Sequence, residues 1–290
     1  MVMDFTNYPT RRKAYAGANG SKIAIVMDGQ QYMIKFPPVP SLNKEMSYAN
    51  SCFSEYLGCH IFGSAGIPVQ DTLLGTYQVG SKTKIVVACK DFTSPGVTLQ
   101  DFASLKNQII DSRENGYGTS LESILETIQQ QNSVDPYSLS QWFWDMFIMD
   151  ALLGNFDRHN GNWGFLYDEQ MDSVSIAPIF DCGSCLYPQA DEAVMKAVLS
   201  DEDERKVRVY QYPTSALKTK GRKINYREFL SSHCEPECDR ALLRIQDRIA
   251  MGDINRIVET TPFLSSLQIE FYETMLRERK ENILDYATRY

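Results

Sequence analysis

The sequence has no long apolar segment. Its 290 residues contain no uninterrupted apolar run of about 18 residues, the length that a membrane-crossing helix requires. Residues 1–12 also lack the apolar core of a secretory signal peptide. We therefore expect a protein that does not enter a membrane and that stays in the cytosol, with secretion without a cleavable signal left open as an alternative.

The chain has fewer basic than acidic residues. The chain has 29 Lys and Arg residues against 37 Asp and Glu residues, which gives a formal net charge of −8 at pH 7. A strongly basic surface attracts nucleic acid or anionic lipid over a broad area, so this composition argues against both as direct partners. A local basic groove is still compatible with it.

The sequence lacks the even set of cysteines that is typical of a disulfide framework. Its seven cysteines are Cys52, Cys59, Cys89, Cys182, Cys185, Cys234 and Cys238. Cys182-Gly-Ser-Cys185 has the form of a redox pair, and with Cys234 and Cys238 it supplies four thiols that could bind zinc. Reduced cytosolic thiols are favoured over both alternatives, because no thioredoxin-like strand and helix surround the motif.

The first ninety residues are rich in predicted strands. Lys22–Met27 and Gln31–Phe36 flank the turn dipeptide Asp28-Gly29, and this arrangement predicts a β-hairpin. Apolar residues at helical spacing predict a helix over Asn50–Ala65, with Gly66 as its stop. Further strands are predicted at Ile67–Val69, Thr72–Tyr77 and Lys84–Ala88.

Beyond Phe92 the pattern is mainly helical. Helices are predicted at Leu99–Ile110, Ser120–Gln131 and Ser138–Leu153, followed by the polar loop Gly154–Asn162 and the apolar runs Trp163–Tyr167 and Val174–Ile179. A β-rich front and a helical rear predict an α+β fold of two lobes, with residues 1–92 as the N-lobe and residues 93–290 as the C-lobe. We expect the active site in the cleft between them.

The polar loop has a spacing that suits phosphoryl transfer. Asp157 is followed five residues later by Asn162, and Asp181 lies nineteen residues beyond Asn162. One carboxylate can orient an attacking hydroxyl and accept its proton, while an amide oxygen and a second carboxylate can hold Mg²⁺. This order predicts a catalytic Asp157 and a magnesium site at Asn162 and Asp181. Standing alone, the loop pair could simply bond its own backbone.

The N-terminal ninety residues supply parts that match this chemistry. The loop Gly17-Ala-Asn19-Gly20-Ser21-Lys22 precedes the first predicted strand, where backbone amides could approach phosphate closely. Lys35 on the second strand could reach the α- and β-phosphates, and Glu55 on the following helix could pair with it. Each part alone is more often structural, and their common order with Asp157 is what indicates a kinase.

Other polar residues allow weaker interpretations. His159 could act as a general base, but its place two residues after Asp157 favours a role in bracing the loop. His60 is expected to be packed or exposed on its helix. The acidic run Asp201-Glu-Asp-Glu204 is most often a solvated surface, with substrate docking as the alternative.

Six segments share the pattern of one known kinase family. They are Tyr15-Ala-Gly-Ala-Asn-Gly20, Met33-Ile-Lys-Phe-Pro-Pro38, Asn50-Ser-Cys-Phe-Ser-Glu-Tyr-Leu-Gly-Cys-His-Ile-Phe62, Val86-Val-Ala-Cys-Lys-Asp-Phe92, Asn155-Phe-Asp-Arg-His-Asn-Gly-Asn162 and Ile179-Phe-Asp181. Through them the chain resembles the HipA-like kinases, and most closely a compact branch of that family. The resemblance implies a protein-kinase-like bilobal fold, ATP and Mg²⁺ as cofactors, and a protein Ser or Thr as substrate.

The resemblance also implies a role for each matching residue. Asp157 would be the catalytic base, Asn162 and Asp181 would bind Mg²⁺, and Lys35 would hold the phosphates while paired with Glu55. His159 would shape the catalytic loop. The hinge against adenine would consist of Cys89, Lys90, Asp91 and Phe92. Some family members are toxins with an antitoxin partner, so the resemblance suggests such a partner and a bacterial cytosol.

The chain departs from longer family members in three places. The glycine loop begins within twenty residues of Met1, where those members carry an additional subdomain, and Ala14 stands where they have a regulatory serine. Ser21 is then the candidate for autophosphorylation. Cys182 follows Asp181 in place of the Phe of typical eukaryotic kinases. Two alternative functions stay open: a phosphatidylinositol-type lipid or small-molecule kinase, and a nucleotide-binding pseudokinase that acts as an interaction module.

Overall fold

The structure is a computed structural model that describes residues 2–15, 21–38, 49–110 and 115–289. Its strands are β1 (Met3–Asp4), β2 (Thr10–Arg11), β3 (Lys22–Met27), β4 (Gln30–Lys35), β5 (Thr72–Val79), β6 (Lys82–Lys90), β7 (Val97–Asp101), β8 (Gly164–Asp168), β9 (Ser173–Ile176), β10 (Lys218–Thr219) and β11 (Arg222–Lys223). Its helices are α1 (Ser51–Ser64), α2 (Phe102–Ile109), α3 (Leu121–Gln130), α4 (Pro136–Leu153), α5 (Glu192–Ser200), α6 (Glu202–Tyr210), α7 (Tyr226–Ser232), α8 (Pro236–Gln246), α9 (Met251–Thr260) and α10 (Ser266–Arg279), which continues through a π-helical turn, Lys280–Leu284, into α11 (Asp285–Ala287). A β-sheet lobe precedes a helical lobe, so the predicted α+β class is confirmed.

The N-terminal lobe is built on a six-stranded sheet in the order β1-β5-β6-β4-β3-β2. The predicted hairpin of β3 and β4 is confirmed. Its turn residues Asp28 and Gly29 have φ of 50° and 76°, the left-handed conformation that a two-residue hairpin turn requires. The register places Lys22 directly opposite Lys35, so both side chains leave the same face of the sheet.

Both faces of this sheet bury apolar side chains. One face packs Phe5, Ile25, Ile34, Val86 and Ala88 together. The other face packs Leu74, Val87 and Cys89 against Cys52 and Phe53 of α1. A register shift of one residue would move each set to the wrong face, so the two cores together fix where Lys35 stands.

Helix α4 is the centre of the C-terminal lobe and leads directly to the polar loop. It is apolar around most of its circumference, as expected for a helix that neighbours surround. The Asp135 side chain accepts a hydrogen bond from the Ser138 amide at 2.8 Å and caps the helix, with Pro136 in the first turn. Gly154 ends it with a left-handed φ of 63°.

The predicted helix Leu99–Ile110 is wrong in its first part. Residues Val97–Asp101 form β7, antiparallel to β8, and α2 begins only at Phe102. The Asp101 side chain caps α2 by accepting a hydrogen bond from the Ser104 amide at 2.8 Å. The strand forms because its backbone pairs with a segment more than sixty residues away. The spacing of apolar residues within one segment cannot reveal such a distant partner.

The predicted strand Ile67–Val69 is also wrong. Val69 makes an isolated parallel bridge to Ile179, and Pro68 has no amide hydrogen to donate to a ladder. The Gln70 amide donates to the Ile179 carbonyl at 2.8 Å, and the Ile179 amide donates to the Pro68 carbonyl at 2.9 Å. This bridge joins the sheet lobe to the segment that carries Asp181.

Of the two positions that the sequence left open for His60, packed or exposed, the structure shows the packed one, within α1. Its ring lies 3.9 Å from the Tyr56 ring between centroids, and its Nδ1 donates to the Tyr56 carbonyl at 2.9 Å. Burial lowers the pKa of His60, although the bond to Tyr56 and the charge of Asp71 oppose that shift. The folded protein therefore takes up this proton at a lower pH than the unfolded chain does.

A pH dependence of stability follows from His60. Its neutral form favours folding above the ordinary histidine pKa of 6.5, and this contribution is lost as the pH falls below that value. We expect the free energy of unfolding to drop less between pH 7.5 and pH 5.5 in a His60→Gln variant than in the wild type. Urea titrations at the two pH values measure the difference, and parallel pH profiles for both proteins would contradict it.

Candidate active site

The polar loop after α4 holds the Asp157 backbone firmly. The Asp157 amide donates to Asn155 Oδ1 at 3.0 Å, and the Asp157 carbonyl accepts hydrogen bonds from the His159 amide and from Asn162 Nδ2, both at 2.8 Å. No donor among the described residues bonds the Asp157 carboxylate itself. A fixed backbone thus presents a half-buried carboxylate whose acceptor capacity is unused.

The environment of Asp157 makes its carboxylate more basic. Burial raises its pKa above the ordinary aspartate value, and the nearby charge of Asp181 adds to this shift. The charges of His159, Arg158 and Lys223 oppose it. A half-buried carboxylate with a raised pKa is a better proton acceptor than a solvated one.

The side-chain amide of Asn162 forms a hydrogen bond through its nitrogen and not through its oxygen among the described residues. Its Nδ2 donates to the Asp157 carbonyl, and its backbone amide donates to the His159 carbonyl at 2.9 Å. This orientation leaves Oδ1 without a hydrogen-bond partner among the described residues. Asn162 can therefore offer a neutral oxygen ligand from within the same loop.

Asp181 has a backbone of unusual conformation. Its φ is +57°, in the left-handed region, and its side chain is 44% exposed. Oδ1 accepts a hydrogen bond from Lys35 Nζ at 2.9 Å, and the charge of Lys35 is the main reason why the pKa of Asp181 is lowered. An ionised carboxylate and the free amide oxygen of Asn162 are the hard oxygen donors that Mg²⁺ prefers, so these two residues fit that ion.

Lys35 contacts two carboxylates, Glu55 of its own lobe and Asp181 of the helical lobe. Its Nζ lies 3.0 Å from Glu55 Oε2 on α1, in addition to its contact with Asp181. Burial lowers the pKa of Lys35, but the charges of Asp181 and Glu55 outweigh burial and hold the pKa well above its ordinary value. The Glu55 side chain is only 1% exposed, and its burial raises its own pKa. Lys22, opposite Lys35, adds a second cation to the cleft, with a pKa that burial lowers.

A buried ion pair that the sequence did not reveal supports the loop of Asp157. Arg158 Nε donates to Asp150 Oδ2 of α4 at 3.0 Å, and both side chains are at most 3% exposed. Arg158 Nη1 also donates to the carbonyls of Asn162 and Phe180, at 2.9 and 2.5 Å. One guanidinium therefore ties the loop of Asp157 to the residue before Asp181. An aspartate inside an apolar helix was the signal that could have revealed it.

His159 lies beside Asp157 and bonds its own loop. Its Nδ1 accepts a hydrogen bond from the Gly161 amide at 3.0 Å. A Cβ atom added at Gly161 would lie 3.0 Å from the His159 ring, so glycine permits this close contact. These contacts are those of a residue that shapes the loop.

The predicted hinge, Cys89 to Phe92, overlaps the end of β6. Cys89 is fully buried at the end of β6, while Lys90 Nζ lies 3.3 Å from Asp71 on the surface. The Phe92 ring lies 5.8 Å from the Phe180 ring, so the hinge adjoins the residue before Asp181.

Three side chains far from the hinge in sequence donate to Asp91 Oδ2: Lys13 at 2.7 Å, Tyr15 at 2.8 Å and Gln31 at 2.7 Å. Burial raises the pKa of Asp91, but the hydrogen bonds from Lys13, Thr93 and Tyr15 outweigh burial and lower that pKa to about 2. The segment before the predicted glycine loop is thereby attached to the hinge, a connection that the sequence did not reveal.

Four of the six residues of the predicted glycine loop lie outside the described part of the chain. These are Gly17, Ala18, Asn19 and Gly20. The other two, Ser21 and Lys22, lie at the start of β3, where the Ser21 carbonyl accepts a hydrogen bond from the Phe36 amide at 3.0 Å.

The cysteine motif lies in the core and has no metal-binding arrangement. Cys182, Cys185 and Cys59 are buried together behind Asp181, while Cys234 is exposed and Cys238 is buried in α8. Residues 2–15, 21–38, 49–110 and 115–289 contain no group of three or more His, Cys, Asp or Glu placed to hold a metal ion. In the same residues no helix has the length and apolar character that crossing a bilayer requires.

Comparison with known proteins places this site in a family. Residues 11–252 match the model of the HipA-like C-terminal domain. The chain is 53% identical over 277 residues to the serine/threonine-protein kinase CtkA of Helicobacter pylori, and the match covers 95% of this chain and 84% of that relative.

Solved structures give the same result for the fold. The crystal structure of the proinflammatory kinase CtkA of Helicobacter pylori superposes with a TM-score of 0.93 at 49% identity, covering 100% of this chain and 98% of that one. HipA of Shewanella oneidensis, solved with HipB and operator DNA, gives a TM-score of 0.58 at 13% identity, covering 100% and 76%, and supports the fold alone. The chain therefore belongs to the HipA-like C-terminal domain family and is a HipA-like serine/threonine-protein kinase that uses ATP.

Proposed function

We propose that the cleft transfers the γ-phosphoryl group of ATP to a protein Ser or Thr hydroxyl, with Asp157 as the catalytic base. The observation that carries this proposal is the Asp157 carboxylate, which has no bonded donor among the described residues and stands on a firmly held backbone beside Asp181. A substrate hydroxyl can donate its hydrogen bond to this carboxylate, and the proton follows as the oxygen attacks the phosphorus. His159 braces the loop that carries it.

Lys35 is proposed to hold the α- and β-phosphates of ATP. Glu55 is buried and ionically paired with Lys35, so it can keep the ammonium group in position when Asp181 turns to another ligand. Lys22, and the backbone amides of the loop that contains Gly17, Asn19, Gly20 and Ser21, are proposed to complete the phosphate site. Lys22 and Lys35 together supply two positive charges on one face of the sheet.

Asn162 and Asp181 are proposed to hold Mg²⁺. The free Oδ1 of Asn162 and the ionised, partly exposed carboxylate of Asp181 support this assignment. When bound, Mg²⁺ neutralises charge on the nucleotide phosphates during transfer. In the absence of the ion, the ion pair with Lys35 keeps the Asp181 carboxylate ionised and holds its position.

Adenine is proposed to bind at the hinge of Cys89, Lys90, Asp91 and Phe92. The hydrogen bonds that Asp91 accepts fix this segment against β4 and the N-terminal chain, and a fixed segment suits the recognition of a planar base. We also propose that the two lobes divide after Phe92, as residues 1–92 and 93–290.

Replacement of Asp181 tests the metal assignment. An Asp181→Asn variant keeps the shape of the side chain but removes its charge, so folding should be retained while phosphoryl transfer falls by at least about 100-fold. Transfer of label from γ-labelled ATP into protein, measured against Mg²⁺ concentration, should require far more Mg²⁺ in the variant. Unchanged Mg²⁺ dependence would remove Asp181 from the metal site.

The acceptor of the phosphoryl group can be tested in parallel. Phosphoamino-acid analysis of a labelled cell extract should give phosphoserine or phosphothreonine. Label found in phosphatidylinositol vesicles and not in protein would favour the lipid-kinase alternative.

We also propose an antitoxin partner and a cytosolic location. The HipA structure with HipB supports the antitoxin partner only through a shared fold. The free cysteines are consistent with a cytosolic location.

A further inference from the structure

A basic hairpin stands out on the surface of this acidic chain. Strands β10 and β11 are joined by Lys220 and Gly221, whose φ values of 49° and 79° form a tight left-handed turn. Four of its six residues are cationic: Lys218, Lys220, Arg222 and Lys223. All four are exposed, and none forms an ion pair with any other described residue.

The hairpin is fixed in place by its backbone and by the Thr219 hydroxyl, and not by its cationic side chains. The Lys218 amide donates to the Thr119 carbonyl at 2.8 Å. Glu122 Oε1 of α3 accepts hydrogen bonds from Thr219 Oγ1 at 2.7 Å and from the Lys220 amide at 3.2 Å. Glu122 offsets one positive charge of the cluster, and its carboxylate is already engaged by these donors. The four cationic side chains are left to face solvent.

The hairpin is linked to the catalytic loop through neighbouring segments on both sides. Upstream, the loop that holds Lys218 is itself held by Asn160, whose Nδ2 donates to the carbonyls of Gly116 and Gly118 at 2.7 and 2.9 Å. Downstream, the Tyr226 hydroxyl donates to the Asn155 carbonyl at 2.6 Å. The hairpin therefore keeps a fixed position relative to Asp157.

A further contact places the loop that holds Lys218 beside the loop of Asp157. The Tyr117 ring is 53% exposed and would lie 3.2 Å from a Cβ atom added at Gly161, so it borders the loop of Asp157. The charge of Lys223 is also close enough to oppose the rise in the pKa of Asp157. Lys223, at the end of β11, is thus among the charged groups near Asp157.

We propose that the basic hairpin, residues 218–223, binds acidic side chains that flank the Ser or Thr to be phosphorylated. The substrate is then an acidic protein segment. The proposal rests on the proposed kinase function and adds the substrate class. With a net charge of −8, the enzyme repels acidic proteins at a distance, so a local set of unpaired cations beside the catalytic loop directs such a segment to that place.

Two matched serine peptides test the proposal. One carries Glu at the positions flanking the serine, and the other carries Gln at the same positions. The enzymes are the wild type, a Lys220→Gln/Arg222→Gln variant at the hairpin tip, and a Lys82→Gln/Lys196→Gln control that removes two exposed cations elsewhere. We expect the hairpin variant to lose roughly 3- to 10-fold in kcat/KM on the Glu peptide, mainly through KM.

The Gln peptide and the control variant define the specificity of this loss. The hairpin variant should phosphorylate the Gln peptide as the wild type does, and the control should match the wild type on both peptides. The wild-type preference for the Glu peptide should shrink as NaCl is raised from 50 to 500 mM, because salt screens exposed charges.

Three results would overturn the proposal. Equal loss on both peptides would show a structural role for the hairpin, and a wild type indifferent to flanking charge would exclude acidic recognition. Hairpin-dependent binding of a single-stranded RNA oligonucleotide, together with unchanged peptide kinetics, would assign the cations to nucleic acid. Each of these differs from failure of the kinase function itself, in which neither peptide would receive label from any variant.

Discussion

An Asp157→Asn variant should bind ATP and fold normally, yet transfer phosphate to protein about 10²- to 10⁴-fold more slowly than the wild type. The asparagine keeps the size of the side chain and leaves the backbone bonds of Asp157 to Asn155, His159 and Asn162 intact. What it removes is the proton acceptor. Single-turnover transfer of the γ-phosphoryl group measures the chemical step, and fluorescence titration with an ATP analogue measures binding.

Two controls make this result specific to the position. Asp253 is an exposed aspartate on α9, in an ion pair with Arg256, and Asp253→Asn should leave transfer unchanged. His159→Ala removes a loop brace and the other candidate base near the cleft, and it should cost less than Asp157→Asn. If His159→Ala were the more damaging of the two and Asp157→Asn transferred phosphate near the wild-type rate, the assignment of Asp157 as the base would be wrong.

Local patterns explain how much of this site the sequence revealed. The hairpin that carries Lys35 could be predicted because strand alternation and an Asp-Gly turn are properties of neighbouring residues. The spacing of Asp157, Asn162 and Asp181 was visible for the same reason. The contact of Lys35 with Asp181 joins residues 146 positions apart, and only the order of the motifs suggested it.

The unpredicted parts depend on partners that are distant in sequence. Asp91 was assigned to the hinge, but its bonds to Lys13 and Tyr15 cross more than seventy residues. β7 was mistaken for a helix because its partner β8 lies beyond α4. The strand pairs β1–β5 and β10–β11 each contain only two pairs of facing residues, which are too few to show a periodic pattern in the sequence.

Asp150 should matter for both stability and catalysis, because it is the buried counter-ion of Arg158. Replacing it by Asn leaves a guanidinium that is only 3% exposed without a negative partner, which should cost about 3–5 kcal/mol of unfolding free energy. Urea denaturation measures this loss. Asp145→Asn is the matched control on the same helix: its pair with Arg244 is more exposed, so a loss nearer about 1 kcal/mol is expected.

A double variant separates the two roles of this ion pair. Asp150→Leu with Arg158→Met replaces two buried charges by apolar side chains of similar length, and such exchanges are often neutral for stability. The carbonyls of Asn162 and Phe180 would nevertheless lose the guanidinium that joins them. We therefore expect the double variant to recover most of the unfolding free energy that Asp150→Asn loses, while kcat stays well below the wild-type value. Recovery of kcat along with stability would mean that Arg158 only fills the core, because the positions of Asn162 and Asp181 would then not depend on its hydrogen bonds.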